Sequence, residues 1–333
     1  MGKTQNNPLP ISRMHDAILG DIYTFHFLNL EQVMLLRGYG PKSKRNCQKL
    51  LKQLTDISFL DHPRLPRASL GNPPFVYTLT RDSLNYLKDL GYDTDFRFRP
   101  IDHKQPSYSW LNHMMRLNDF LICATLLPNI EPSIAVETLY HEWLIRHRFP
   151  ASVEVRIKKE YGGVEKKHEG VIPDSFINFR LPRNRHMPII VELDNGSESR
   201  WKIREKVYAL LAYIDGPYTK LFGTNLVTIC FVVPDNNTHR RDLLLHYIES
   251  VLEEKNLCDV ADTFRACTLP TGVLSPRDVF LTPLWHRPFD FEEIDKAEAN
   301  ARFLGKVLLS SHDASKVKVY SRSLPLIDGD LLA

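Results

Sequence analysis

From Leu226 to Val233 the chain is apolar at every position except Thr228. A strand with no polar side has to be covered on both faces, which is the setting of a parallel sheet interior. Parallel neighbours cannot be joined by a tight hairpin and need crossover connections, normally helices. The flanking sequence supplies them. Ser197–Ile214 carries Ile203, Val207, Leu210, Leu211 and Ile214 at helical spacing, and a helix capped by Asn237 or Thr238 runs to about Lys255. Met187–Leu193 on one side and Phe264–Leu269 on the other read as strands. Upstream, Ser109–Leu127 is a long amphipathic helix and Leu139–Arg148 a further helical piece. Val153–Tyr161 and Gly170–Phe179 are strands, separated by a turn at Gly162-Gly163 and Glu165–Glu169. The expected order is α-β-β-β-α-β-α-β: an antiparallel meander running into crossover helices, with a mixed sheet covered on both faces.

The first ninety residues follow a different rule. Asp16–Phe27 has helical apolar spacing. Asn29 with Gln32 forms a capping-box pattern for a second helix, and Ser43 caps a third, Lys44–Leu54. On that third helix Cys47, Leu50, Leu51 and Leu54 share one face, while Lys44, Arg45, Gln48, Lys49 and Lys52 share the other. Two short strands, Ile57–Leu60 and Phe75–Leu79, enclose a basic Pro-rich loop with Arg64 and Arg67; Thr80 then caps a helix stopped at Gly91. Helix, helix, basic helix, strand, loop, strand is the order of a winged helix-turn-helix, whose third helix enters a major groove while the wing touches the backbone. Charge supports this reading. Between Arg37 and Arg67 eight Lys/Arg face two Asp, a surplus of +6 in a chain whose net charge is +3, so the remainder carries −3. Lys44, Arg45, Lys49, Lys52, Arg64 and Arg67 are therefore the expected DNA contacts, duplex DNA being the expected partner. The alternative for the same face is a solvated helix or a protein contact.

The chain thus reads as α+β with an α/β part: a winged helix at 13–91, a linker at 92–108, the mixed-sheet domain at 109–270 and an extension at 271–333. At 43% hydrophobic and 25% charged residues it is not a disordered chain. Its longest apolar runs are eight residues, against the roughly 20 that a membrane helix needs, and no apolar signal core opens it. Five scattered Cys without a CxxC pattern fit a reduced, cytoplasmic protein without structural zinc. Phosphate-cradle and nucleophile-elbow motifs are absent, and the thirteen histidines form no HxH cluster of the kind a relaxase centre would use.

One constellation carries chemistry. Ile172-Pro173-Asp174 is followed eighteen residues on by Glu192-Leu193-Asp194. The side-chain period of a strand is two, so Glu192 and Asp194 project together while Val191 and Leu193 enter the core. Carboxylates converging from neighbouring strands need a cation, and oxygen donors suit Mg²⁺ or Mn²⁺, which can activate a phosphodiester and a water. Read blandly, Asp174 opens a turn after proline, and Glu192 with Asp194 forms a solvated strand end.

Pro173-Asp174 and Glu192 resemble the proline-aspartate and acid-x-lysine elements of the PD-(D/E)XK nuclease superfamily, except that Asp194 stands where lysine is usual. The resemblance implies that Lys206, on the following helix, supplies the basic group. It also implies that Asp119, on the first helix of the domain, fills the place of an acid that some members carry. The order of winged helix, Leu111-Asn112-His113, Asn118-Asp119, Pro173-Asp174, Glu192-Leu193-Asp194 with Lys206 and Tyr208 resembles the replication-relaxation family of bacterial plasmids and integrative elements, over about residues 15–235. That resemblance implies a nuclease-like fold and a role in DNA processing, with Asp174, Glu192, Asp194, Lys206 and Asp119 as site residues and the first three as metal ligands. A metal-dependent endonuclease is the first expectation. A non-catalytic DNA-binding replication accessory factor or regulator with a degenerate nuclease fold is the alternative. A homodimer and other element-encoded DNA-processing proteins are further partners compatible with it.

Overall fold

A computed structural model describes residues 11–63, 75–94, 107–158, 163–270, 273–289 and 322–332, and the chain divides into two units at Ile122/Cys123.

The first unit contains α1 (Arg13–Phe25), β1 (Leu28–Asn29), α2 (Leu30–Leu36), α3 (Lys44–Asp56), β2 (Leu60–Asp61), β3 (Val76–Leu79), α4 (Arg81–Asp89) and the first part of α5 (Tyr108–Ile130). The three short strands pair antiparallel in the order β1-β3-β2. β1 was not apparent in the sequence, because two residues are too few to show alternation. The expected caps form at two helices. Asn29 accepts from the Gln32 backbone at 2.9 Å while the Gln32 side chain accepts from the Asn29 backbone at 3.1 Å. Thr80 accepts from Ser83 at 3.4 Å, and Gly91 ends that helix at φ +88°. Ser43 does not cap α3 through its side chain; a 3₁₀ turn, Pro41–Ser43, leads into the helix instead. Cys47, Leu51 and Leu54 of α3 are buried, and its basic face is exposed. α5 is tied to this unit by Asn118, whose amide donates to the carbonyls of Phe25 and Phe27.

The second unit continues from α5 through β4 (Ala135–His141), α6 (Glu142–Arg148), β5 (Ala151–Lys158), β6 (Val164–Val171), β7 (Ser175–Leu181), β8 (Arg185–Leu193), α7 (Arg200–Ile214), α8 (Pro217–Phe222), β9 (Thr228–Val233), α9 (Thr238–Lys255), β10 (Phe264–Thr268) and α10 (Pro276–Phe280). Its sheet has the order β10-β9-β8-β7-β4. β9 is parallel to both β8 and β10, as its apolar sequence demands, while β7 is antiparallel to β8 and β4. α7 and α9 pack on the same face, over Ile190, Ile229, Phe231 and Phe264. α10 reaches the other face, where Phe280 meets Phe179 edge to face at 5.5 Å.

Three local expectations are corrected. Residues 139–141 belong to an edge strand rather than a helix, because pairing with β7 is a non-local gain that local spacing does not register. Glu165–Glu169 is not a turn but part of β6, which forms a separate two-stranded ribbon with β5. Gly170–Phe179 is not one strand; it breaks at Ile172–Asp174, where proline cannot donate to a ladder, and passes from the ribbon to the main sheet. Val153, Val155 and Ile157 of the ribbon pack in the same core as α7, so α7 is covered on two sides. The segment 322–332 docks on this unit: Leu324 bridges Trp285, and Ile327 donates to the Phe280 carbonyl at 2.9 Å.

Candidate functional site: a carboxylate and lysine cleft

The break in the chain at Pro173 places Asp174 between ribbon and sheet, next to the C-terminal end of β8. Its Oδ2 accepts from the Leu193 backbone N–H at 2.7 Å, which fixes the Asp174 carboxylate against the strand end that carries Glu192. Glu192 lies on the α7 side of β8, in register with Phe231. There Lys206 of α7 places its Nζ 3.1 Å from Glu192 Oε2 and 3.2 Å from Glu198 Oε2. Asp174, Glu192, Glu198, Lys202 and Lys206 line one cleft of about 290 Å³, with Glu169 of β6 and Glu205 of α7 at its margin.

Electrostatics follow from burial. Glu192 is 5% exposed. Burial raises its pKa to about 7; the nearby Lys206 opposes the rise, and the Asp174 charge adds to it. For Lys206 burial alone would favour the neutral amine, but Glu192, Asp174 and Glu198 together outweigh it, so its pKa is raised and the ammonium stays charged. Five carboxylates against two lysines give this cleft a negative surplus. Lys202, one helical turn before Lys206, is exposed, and among the described residues its ammonium has no ion-pair partner.

Asp174, Glu192 and Lys206 are thus brought together by folding. Asp194 and Asp119 do not line the cleft. Asp194 lies beyond the last paired residue of β8, and its carboxylate takes a fork from Arg240 of α9: Nε to Oδ2 at 2.7 Å and Nη2 to Oδ1 at 3.1 Å. Strand alternation puts Glu192 and Asp194 on one side, but α7 claims the first and α9 the second. Asp119 belongs to the first unit, where the Gln32 amide donates to its Oδ1 at 2.8 Å. Burial raises its pKa to about 6, against the lowering influence of Gln32 and Arg116. Glu198 was missed by sequence reading, because nothing in Asn195–Ser199 marks one loop residue as facing inward.

The donor chemistry fits a divalent cation held by Asp174 and Glu192, two hard oxygen ligands, in the manner of Mg²⁺ sites that take one or two carboxylates and complete their shell elsewhere. A three-carboxylate site including Asp194 does not fit, since Arg240 already engages that side chain. Among the described residues no group of three His, Cys, Asp or Glu is arranged to hold a metal.

In the first unit, Lys44, Arg45, Lys49 and Lys52 are all exposed on α3. Lys44 pairs with Glu31 at 3.0 Å and Lys52 with Asp56 at 2.7 Å. Arg45 and Lys49 have no ion-pair partner among the described residues. Arg64 and Arg67 lie outside the described residues.

The replication-relaxation family model matches residues 19–225, more than half of the chain. The protein belongs to this family, which associates it with replication and processing of plasmid or mobile-element DNA. No curated protein and no solved structure matches the chain. No described helix is long and apolar enough to cross a membrane.

Proposed function

We propose that this protein grips duplex DNA with its first unit and hydrolyses phosphodiesters in the cleft of its second. The observation that carries the hydrolytic reading is the convergence of Asp174, Glu192 and Lys206, contributed by a strand break, a strand end and a helix, in one cleft. Asp174 and Glu192 would hold Mg²⁺ or Mn²⁺. Such an ion, when bound, polarises the phosphodiester and acidifies a water. The chain's own groups do the rest. The Leu193 N–H orients the Asp174 carboxylate. Lys206, charged and held, is a fixed positive group where negative charge grows on phosphorus-bound oxygen. Lys202, without an ion-pair partner among the described residues, is the cation that meets a neighbouring phosphate in a cleft of negative surplus.

Support for the grip comes from α3. We read the first unit's order of helices with a three-stranded antiparallel sheet as that of a winged helix, and that order supports the grip. Arg45 and Lys49 are the basic residues of α3 left uncommitted among the described residues, and they lead the contacts in this reading. Lys44 and Lys52 exchange exposed acidic partners for phosphates, which costs little because exposed pairs are weak.

The test is cleavage of supercoiled plasmid with Mg²⁺, Mn²⁺ or EDTA, run with wild type, Asp174→Ala and Glu192→Gln, beside DNA binding by anisotropy. Metal-dependent nicking lost in both variants with binding retained is expected. A variant that cuts as well as wild type overturns the assignment. A second reading, a DNA-binding accessory factor without hydrolysis, is favoured by one observation: Lys206 is already engaged by Glu192 and Glu198. Its signature is salt-dependent DNA binding with no cutting in any metal.

A further inference from the structure

The loop that joins β8 to α7, Asn195-Gly196-Ser197-Glu198-Ser199, is exposed at every residue but one: Glu198 is half-buried, turned toward Lys206. A short run of Asn, Gly and Ser has little packing of its own to hold a single conformation. Here it is pinned from outside. Asp194 ends the strand with its N–H on the Val232 carbonyl at 2.9 Å, and its Oδ1 accepts from Gly196 N–H at 2.7 Å. Arg240 then closes the clamp. Besides its two bonds to the Asp194 carboxylate, its Nη2 donates to the Glu198 carbonyl at 2.8 Å. The two side chains are 12% and 4% exposed. Arg240 is itself fixed, because it sits in the first turn of α9 with its backbone N–H on the Asn237 side chain at 3.0 Å. One guanidinium thus joins three things: the end of the strand bearing Glu192, the backbone of the residue bearing the Glu198 carboxylate, and α9.

We propose that Glu198 is a positioning residue of the cleft, drawing the Lys206 ammonium to a point between itself and Glu192, and that Asp194 and Arg240 form the clamp that keeps Glu198 there. This assignment rests on the hydrolytic reading of the cleft for its purpose, though not for its geometry. The two carboxylates hold Lys206 at nearly equal distances, 3.1 and 3.2 Å. With Glu198 neutral or displaced, Glu192 alone retains the ammonium, and the lysine collapses toward the Asp174–Glu192 pair, the oxygens that a cation would need. The clamp gives Asp194 a task other than metal ligation: it acts on the centre through Arg240 and the loop.

The test uses the full chain, labelled with ¹⁵N-lysine, and compares Glu198→Gln, Asp194→Asn, Arg240→Gln and Arg240→Lys with wild type. The Lys206 ammonium signal is identified by its loss in Lys206→Arg. The expected result is that Glu198→Gln, Asp194→Asn and Arg240→Gln displace or abolish that signal, with Arg240→Lys between them and wild type. Hydrogen exchange of amides 195–203 should rise at least tenfold in Asp194→Asn and Arg240→Gln, and stay within about twofold in Glu198→Gln. Circular dichroism guards against unfolding; if Arg240→Gln does not fold, Arg240→Lys and the half-exposed Glu198→Gln decide. A Lys206 signal unmoved in Glu198→Gln, or unmoved in both clamp variants, overturns the proposal. Plasmid nicking on the same variants separates the two readings. Glu198→Gln is expected to lower kcat at least tenfold with KM unchanged. A wild type that never nicks while the signal moves as stated removes hydrolysis and leaves the clamp; nicking with an unmoved signal does the reverse.

Discussion

Replacing Lys206 by methionine removes the ammonium and nearly nothing else from α7. What it leaves is Glu192, 5% exposed and next to Asp174. Breaking a buried pair by deleting one partner costs about 3–5 kcal/mol when the other charge has to stay. Glu192 has an escape, because it can take up a proton. In the wild type, burial has already raised its pKa from 4.5 to about 7 with Lys206 in place. A carboxyl raised in the fold favours the native state at low pH, and that contribution disappears as pH climbs from the unfolded value through the folded one. In the variant the folded pKa is higher still, so the loss continues above about pH 8, where the wild type has nearly finished losing it. The difference between the two proteins therefore opens between pH 7 and 8 and then grows by about 1.4 kcal/mol for each further pH unit, until the unpaired charge is carried in full. Near pH 6 Glu192 is largely protonated in both, and only a near-isosteric swap remains, below about 1.5 kcal/mol. Urea unfolding of the second unit at pH 6, 7, 8 and 9 in EDTA, followed by exchange of the α7 and β8 amides, reads these differences. The double variant Lys206→Met/Glu192→Gln has no Glu192 charge to strand, leaving only the more exposed Glu198 without its ammonium, and should show a far smaller rise above pH 7. A destabilisation of Lys206→Met that is equal at pH 6 and pH 9 refutes the reasoning, as does a double variant with the same slope as the single.

Three further outcomes are expected. Arg45→Glu with Lys49→Glu should weaken duplex binding in anisotropy and lower the slope of log K against log salt by about 2, near 0.9 for each lost phosphate contact; an unchanged slope removes α3 from the interface. Asp119→Asn should leave plasmid nicking within about twofold of wild type. It should also flatten stability between pH 4 and 6, since a carboxyl raised from 3.8 to about 6 loses its stabilising protonated form over that window and an amide does not; a hundredfold loss of cutting would return Asp119 to the centre. Asn118→Ala should cost the first unit about 1–3 kcal/mol in urea unfolding, because the Phe25 and Phe27 carbonyls lose a buried donor; a neutral variant would show that water replaces it.

Local chemistry was legible at several helix ends, though not at Ser43, where a 3₁₀ turn stands in place of the expected side-chain cap. The caps at Asn29 and Thr80 and the glycine stop at Gly91 need only a few neighbouring residues, and all three form. β9 reads as a parallel interior strand because the eight-residue run Leu226–Val233 that contains it lacks a polar side, and α7 and α9 flank it as crossovers. Pairing of distant segments was less accessible. β4 offers no clean alternation and exists because β7 is there to bond with; β6 is exposed at most positions and owes its strand form to β5. The same division runs through the cleft. Asp174, Glu192 and Lys206 were grouped by residue type, order and family resemblance, and folding does bring the three to one cleft. Which carboxylates share the cleft depended on the helices above the sheet. α7 brings Lys206 to Glu192, α9 brings Arg240 to Asp194, and Gln32 holds Asp119 in the first unit. A strand's period of two settles the side on which a side chain emerges, but the helix residue waiting there settles its partner, and the two helices are placed by burial of Ile203 and Val207 on α7 and of Leu244 and Ile248 on α9 rather than by any residue near the strand end. Glu198 is the plainest case: an exposed-looking loop acid in sequence, made part of the cleft by a guanidinium 42 positions further along the chain.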